Sequence, residues 1–203
     1  MFIEEKKRGK PIGDTYELTG VSFTADEETI FGDVNYDYIA SELDWYLSGS
    51  LNVYDIKPRP PRIWMLVADR NGIINSNYGH LIFSAVNYKQ YDNVLKTLLR
   101  DPMSRQAVMI YTRPSMHYDA FENGRHDFVC TNTVQYLLRD DKLNAVVNMR
   151  SNDVVFGYRN DYAWQQYILT ALAEQLDTEP GTITWQVGSL HVYSRHWHLI
   201  PEE

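Results

Sequence analysis

The segment from Phe128 to Asp161 constrains the fold of this chain more than any other. It contains two stretches rich in β-branched residues, at 128–136 and 143–149, separated by the polar residues 139–142. Such stretches on either side of a polar cluster are typical of two strands joined by a hairpin turn. The sequence therefore predicts strand, turn and strand here, followed by a helix over residues 162–176, whose apolar positions recur at helical spacing.

The same segment carries the residues best suited to chemistry. Cys130 lies on the first predicted strand, and Arg150, Asp153, Gly157 and Asp161 follow the second. A thiol near an anion-binding arginine suits covalent attack on a phosphorylated substrate. The alternative is a buried, inert cysteine followed by an ordinary strand end and turn. The residues alone leave both interpretations open.

Composition limits the classes of protein to consider. With 203 residues, 44% of them hydrophobic, the chain is long enough for one sizeable core, so we expect a single domain over 1–203. One cysteine excludes an internal disulfide and fits a reducing cytosol. No apolar stretch is long enough to span a membrane, which predicts a cytoplasmic protein. A net charge of −8 argues against polymeric nucleic acid as a partner but allows a mononucleotide.

A second acidic residue stands out on a predicted helix over residues 36–47. Glu42 lies three residues after Ile39 and next to Leu43, at the edge of the apolar face. An acid at that position is either salt-bridged or functional, and the residues alone favour a salt bridge. Asp161 has a similar alternative, because it could cap the N-terminus of the helix that follows it.

Three other segments give weaker signals. The polar residues 1–14 predict a solvated N-terminus, and residues 113–127 predict a loop. His191, His196 and His198 are close enough in sequence to suggest zinc. No cysteine or pair of carboxylates nearby completes a ligand set, so we expect no metal.

Taken together, these residues resemble the thymidylate synthase superfamily, and most closely its phage-type deoxycytidylate hydroxymethylase branch. The matching motifs keep the family's order over nearly the whole chain. They are Glu42-Leu43-x-Trp45, Asp101-Pro102-x-Ser104-Arg105, Cys130 with Gln135-Tyr136, Arg150-Ser151-x-Asp153-x-x-x-Gly157, and Gly188-x-x-His191-x-Tyr193-x-x-His196.

The resemblance implies a fold and partners. The fold is α+β, a large mixed β-sheet flanked by helices, with the face of the sheet forming a twofold dimer interface. In this family the arginine matched by Arg105 is donated across that interface to the phosphate in the partner's site. Gln106 stands where the family has a second arginine, which removes one charge-assisted contact.

The resemblance also implies the site. The reaction would join dCMP to a one-carbon unit from 5,10-methylenetetrahydrofolate, without a metal, in the host cytoplasm if a phage encodes the protein. Catalytic roles fall to Cys130, Glu42 and Asp161. Substrate contacts fall to Tyr78, Arg105, Arg150, Ser151, Asn152, Asp161, His191 and Tyr193, and folate contacts to Trp64, Asp153 and Gly157. Simple core packing is the alternative for Trp64 and Tyr78.

Asp161 is the residue that separates the branches of the family. Thymidylate synthases have Asn there, whose amide suits the uracil O4 and N3–H, whereas a carboxyl group suits the cytosine N4 amino group and N3. Asp161 therefore favours dCMP. Three rivals remain at this point: a thymidylate synthase acting on dUMP, a hydroxymethylase acting on CMP, and a non-catalytic nucleotide- or RNA-binding relative.

Overall fold

The computed structural model describes residues 1–202. The α-helices of these residues are α1 (Phe2–Arg8), α2 (Tyr36–Ser48), α3 (Arg62–Val67), α4 (Tyr78–Phe83), α5 (Gln90–Arg100), α6 (Met116–Glu122) and α7 (Gly157–Gln175). The strands are β1 (Thr15–Thr24), β2 (Val108–Ile110), β3 (Thr131–Arg139), β4 (Lys142–Asp153) and β5 (Glu179–Tyr193). Short 3-10 helices cover Val53–Asp55, Ala85–Asn87 and Ser194–Leu199.

The strands form one mixed sheet in the order β1-β5-β4-β3-β2. The β1–β5 and β2–β3 pairs are antiparallel, whereas β4 and β5 are parallel. Parallel neighbours need a long crossover, which α7 supplies here between β4 and β5. The predicted α+β class, with a mixed sheet and flanking helices, is confirmed. The twofold interface stays a prediction.

The chain divides into two compact units. We call residues 35–137 the central unit, and residues 1–34 together with those from 138 onwards the terminal unit. The expectation of a single domain over 1–203 stays a prediction. None of the helices within residues 1–202 is long and apolar enough to cross a membrane.

The terminal unit is built on β1, β5 and β4, with α7 packed against β4 and β5. Alternate residues of β4 are buried, as expected for a strand with one face on the core. Its core includes Leu143, Ala145, Val147, Trp164, Ile168, Leu172, Ile183, Trp185, Val187 and Val192. At the predicted turn before β4, Asp140 and Asp141 both have positive φ, 53° and 57°, as tight hairpin turns require.

The central unit packs α4 against α2, α5 and β2. Its core includes Trp45, Val53, Ile56, Ile74, Leu81, Ile82, Leu98, Met109 and Tyr111. The contact between α2 and α4 needs a glycine, because a Cβ on Gly79 would lie 1.8 Å from the carbonyl oxygen of Tyr46. The aromatic rings of Tyr46 and Tyr78 stack beside this point, 5.0 Å apart.

Several sequence predictions hold and others are wrong. The helix predicted over 36–47 is α2, which ends at Gly49 in the left-handed conformation. The solvated N-terminus holds for residues 7–14, which are exposed. It is wrong for the start of the chain, because α1 buries Phe2 and the Lys6 ammonium donates to the carbonyl of Ile200. The loop over 113–127 is also wrong, because it contains α6.

Candidate active site

In the central unit, Glu42 occupies an environment unusual for a carboxyl group. It lies on α2 and only 4% of its surface is exposed. The residues within 1–202 offer it no cation, so the predicted salt bridge is wrong. Burial disfavours the charged form and raises the pKa of Glu42 to about 7, although hydrogen bonds from Tyr38 and Trp64 oppose this shift. Such a carboxyl can both give and take a proton near neutral pH.

The partners of Glu42 are two neutral donors. The Tyr38 hydroxyl donates to Glu42 Oε1 at 2.5 Å. The indole N–H of Trp64 is shared between the Tyr38 oxygen at 3.1 Å and Glu42 Oε1 at 3.3 Å. Sequence reasoning placed Trp64 by resemblance but missed Tyr38. The available signal was its spacing, because residues four apart on a helix share a face.

Cys130 is a half-buried thiol, in no disulfide, immediately before β3. The strand was predicted from residue 128, so its start is three residues later than expected. Next to the cysteine, the buried Thr131 hydroxyl donates to the Tyr78 hydroxyl at 3.0 Å. This bond brings Tyr78 to the start of the cysteine strand, as the resemblance implied, and Tyr78 is also part of the core.

A buried polar cluster that the sequence did not reveal holds the chain segment just before Cys130. Asp127 accepts hydrogen bonds from the backbone N–H groups of Asn75 and Ser76, both at 2.7 Å, and from the Ser76 hydroxyl at 2.6 Å. The Asn75 amide oxygen accepts from Arg113 and Arg125. A satisfied buried network of this kind makes a segment rigid, and it ends three residues before the thiol.

Arg105 is exposed in the turn before β2. Its carbonyl oxygen accepts from the Gln135 amide at 2.8 Å, which ties the turn to β3. The neighbouring Gln106 is exposed as well. A guanidinium on such a turn is accessible to an anion, and its donation to a partner subunit stays a prediction.

In the terminal unit, the parallel register of β4 and β5 assembles two motifs that are far apart in sequence. Ser151, Asn152 and Asp153 pair with Ser189, Leu190 and His191. The carboxyl ends of both strands therefore meet, with the Arg150 motif on one and the His191 motif on the other. Arg150 itself is exposed at this point of β4.

Asp161 is held by a chain of hydrogen bonds behind it. The Asn152 amide nitrogen donates to Asp161 Oδ2 at 2.8 Å, and the Trp185 indole donates to Asn152 Oδ1 at 3.3 Å. An indole N–H can only donate, so it fixes the amide with its nitrogen towards Asp161. That orientation stabilises a carboxylate at position 161. Asn152 is 2% exposed, so it acts on Asp161 from the interior.

The absence of a side chain at Gly157 leaves room for the hydrogen bonds that join Trp185, Asn152 and Asp161. A Cβ at Gly157 would lie 3.1 Å from the Asn152 amide nitrogen and 3.8 Å from Asp161 Oδ2. Gly157 is also the first residue of α7, four residues before Asp161. The idea that Asp161 caps this helix is therefore wrong. Asp153 instead closes the turn before the helix, because its carboxylate accepts from the backbone N–H of Val155 at 3.1 Å.

His191 and Tyr193 contact each other at the end of β5. Their rings meet edge to face, with centroids 5.2 Å apart, and His191 Nδ1 lies 3.4 Å from the Ser189 carbonyl oxygen. The Arg195 guanidinium lies 4.4 Å above the Tyr193 ring. The two predicted sugar-binding side chains are thus ordered by packing and remain half-buried.

The histidine-rich segment after β5 is helical. His196 and His198 lie in the 3-10 helix Ser194–Leu199. Burial and the adjacent Arg195 lower the pKa of His196. Within residues 1–202, no group of three or more His, Cys, Asp and Glu side chains is arranged to hold a metal ion.

Comparison with known proteins gives consistent matches. The thymidylate synthase family model matches residues 29–203. The deoxycytidylate 5-hydroxymethyltransferases of Enterobacteria phages T4, T2 and T6 are each 57% identical to this chain over 193 residues, covering 92% of this chain and 78% of the relative.

A solved structure supports the fold independently. Thermostable thymidylate synthase A from Bacillus subtilis superposes with a TM-score of 0.67 at 22% identity, covering 90% of this chain and 68% of that one. At this identity the likeness concerns the fold alone. The motif order, the mixed sheet, the family match and the phage relatives all agree, and the chain belongs to the thymidylate synthase family.

Proposed function

We propose that this protein is a dCMP hydroxymethylase, which converts dCMP to 5-hydroxymethyl-dCMP using 5,10-methylenetetrahydrofolate. The observation that carries the proposal is the hydrogen-bond chain from Trp185 through Asn152 to Asp161. It supports a carboxylate where a thymidylate synthase would have an amide. The names of the phage relatives support the same reaction.

Cys130 is the proposed nucleophile. Its thiolate adds to C6 of the cytosine ring, and the electron pair of the C5–C6 bond makes C5 nucleophilic. When bound, 5,10-methylenetetrahydrofolate supplies a one-carbon unit at the oxidation level of formaldehyde. C5 would take up that unit and lose its proton, and the bond from the new methylene carbon to the folate nitrogen would break with tetrahydrofolate as the leaving group. Water would then add to the exocyclic methylene, and the C6–sulfur bond would break. The half-buried thiol, which is in no disulfide, supports this role.

Glu42 is the proposed acid and base for the water. In its ionised form Glu42 accepts a proton from the water that adds to the methylene, and in its neutral form it returns one. A pKa of about 7 supports both directions at neutral pH.

Asp161 is the residue that we propose recognises the cytosine base. Its carboxyl accepts from the cytosine N4 amino group and shares a proton with N3, whereas the O4 of uracil would meet an acceptor. A site built for one hydrogen-bonding edge rejects the other by about 10⁴-fold. Asn152 and Gly157 support that role from behind, so we assign Asn152 to positioning Asp161.

The remaining residues bind the rest of the nucleotide. Arg150 and Ser151 bind the phosphate, together with Arg105 donated by the second subunit of a homodimer. His191 and Tyr193 hydrogen-bond the sugar. The exposed positions of both arginines support contact with an anion.

Trp64, Asp153 and Gly157 are the proposed folate contacts. Each Asp153 oxygen has lone pairs beyond those used by the backbone N–H groups of Val155 and Phe156, which fits the amide and amino donors of a pterin ring. The Trp64 indole donates its N–H to Tyr38 and Glu42, and its ring lies 6.0 Å from that of Trp45. The ring is only half-buried, which leaves surface for an aromatic ligand.

The test is tritium release from C5-labelled dCMP and dUMP in the presence of methylenetetrahydrofolate, with the product identified by mass spectrometry. We expect release from dCMP, a 5-hydroxymethyl product, and a dCMP preference that falls at least a hundredfold in Asp161→Asn. Asp92→Asn, at an exposed site on α5, is the matched control. Release from dUMP alone, with a 5-methyl product, would identify a thymidylate synthase.

Two further substrates separate the other rivals. Unlabelled CMP as competitor reports on a ribonucleotide enzyme, which would bind it as tightly as dCMP. Equilibrium binding of dCMP without tritium release would indicate a relative that only binds nucleotides. Because the proposed substrates are intracellular metabolites, the expected site of action is the cytoplasm of the host cell.

A further inference from the structure

Tyr38 makes a short hydrogen bond to the buried carboxyl group of Glu42. Its hydroxyl is 2.5 Å from Glu42 Oε1, one helical turn earlier on α2. Of the residues in 1–202, none donates a hydrogen bond to the second carboxyl oxygen, Oε2. Both donors, Tyr38 and Trp64, meet the group at Oε1.

The direction of the Tyr38 bond follows from its second neighbour. The Trp64 N–H lies 3.1 Å from the Tyr38 oxygen and can only donate to it. The single phenolic proton of Tyr38 is therefore directed to Glu42. Within these three side chains, Oε1 accepts two hydrogen bonds.

We propose that Tyr38 is a positioning residue for Glu42, which fixes Oε1 so that Oε2 is the oxygen that exchanges a proton with water. This inference rests on the proposed function, because Tyr38 would position the residue that we propose as acid and base. Tyr38 touches neither the nucleotide nor the folate in this scheme and acts only through Glu42.

The chemistry of the donors explains why a tyrosine suits this position. An arginine or lysine would hold the carboxylate ionised and make it a poor acid. A phenol and an indole carry no charge, so they stabilise the ionised form only in part and leave the effect of burial dominant. No charged side chain among the described residues contributes to the pKa of Glu42.

The experiment compares wild type with Tyr38→Phe, which removes one oxygen from a half-buried ring. The Glu42 carboxyl is followed by ¹³C NMR of glutamate-labelled protein, and Glu42→Gln assigns its signal. The lost bond stabilised the ionised form, so we expect the pKa of Glu42 to rise by about one unit. With the ionised form required as base, kcat falls about fivefold at pH 7 and recovers above pH 9, while the KM for dCMP is unchanged.

Tyr118→Phe is the matched control, because its hydroxyl is on an exposed side chain of α6 in the same unit. The same Glu42 pKa in Tyr38→Phe and wild type would overturn the proposal. A fall in kcat that is equal at all pH values would also overturn it, since it would indicate a packing role. If wild type releases no tritium but the NMR shift is present, the contact between Tyr38 and Glu42 is upheld and the proposed function fails.

Discussion

The two compact units hold their key carboxyl groups in opposite ways. Glu42 in the central unit is buried against a phenol and an indole, and its pKa is raised to about 7. Asp161 in the terminal unit accepts from an amide whose orientation a tryptophan fixes. The first environment leaves the proton mobile, and the second favours a carboxylate. In the function we propose, this difference suits proton transfer in the central unit and recognition of the base in the terminal unit.

This division predicts which kinetic constant a substitution in each unit should change. Substitutions in the central unit should lower kcat, because Cys130 is the proposed nucleophile and Glu42 the proposed acid and base. Substitutions in the terminal unit should change KM and the choice of base. A variant that behaves in the opposite way would break the comparison.

The largest effect is expected for Cys130→Ser. Without the thiolate no covalent adduct forms at C6, so kcat for tritium release should fall by about 10⁴-fold or more. Binding of dCMP, measured by calorimetry, should stay within about threefold of wild type. Loss of binding along with activity would show that Cys130 also belongs to recognition.

Glu42→Gln should come next. An amide cannot exchange a proton with water, and positioned acid–base groups contribute typically 10²–10⁴-fold, so we expect kcat to fall by at least about a hundredfold. Steady-state kinetics with dCMP should show little change in KM. A rise in KM larger than the fall in kcat would indicate that Glu42 contributes to substrate recognition.

The same substitution also tests the comparison through its effect on the free energy of unfolding. A pKa raised from 4.5 to about 7 means that the folded state binds more protons than the unfolded state between these values, so stability falls as pH rises through this window. Glu42→Gln removes this cost, which is about 3 kcal/mol above pH 7. In urea unfolding at pH 5 and pH 8, the stability of the variant relative to wild type should be clearly greater at pH 8 than at pH 5. Asp44→Asn, exposed on the same helix, should show no such gain.

Arg150→Ala should have the smallest of these effects and a different character. Loss of one charge-assisted contact to phosphate costs roughly 1.5–3 kcal/mol, so KM for dCMP should rise roughly ten- to a hundredfold with kcat nearly unchanged. Arg100→Ala, exposed at the end of α5, is the control. Equal losses in kcat and kcat/KM would place Arg150 in the chemistry instead.

Much of the fold could be predicted from local patterns. The β-branched stretch at 143–149, the helical spacing over 36–47 and the polar turn at residues 139–142 are all features that act over a few residues, and all are confirmed. Helix α6 was missed because its exposed aromatics, among them Phe121 at 89% exposure, hide the usual amphipathic period.

The candidate site was predicted less completely, for a physical reason. Motifs gave the residues that would touch a ligand, but the groups behind them are set by tertiary contacts. The Trp185–Asn152–Asp161 chain joins two strands and a helix, and Asp127 joins a segment 51 residues away. The expected salt bridge of Glu42 failed for the same reason, because only the fold decides which donor reaches a buried acid.

The close contact between Gly79 and Tyr46 has a consequence for variation. Because no atom separates the two backbones, even a methyl group at position 79 would push α4 away from α2. These helices carry Tyr78 and Glu42, so a change there would disturb both at once. In a library that samples every residue at every position of the chain, position 79 should be among the least tolerant, while the exposed aromatics of α6 accept almost anything.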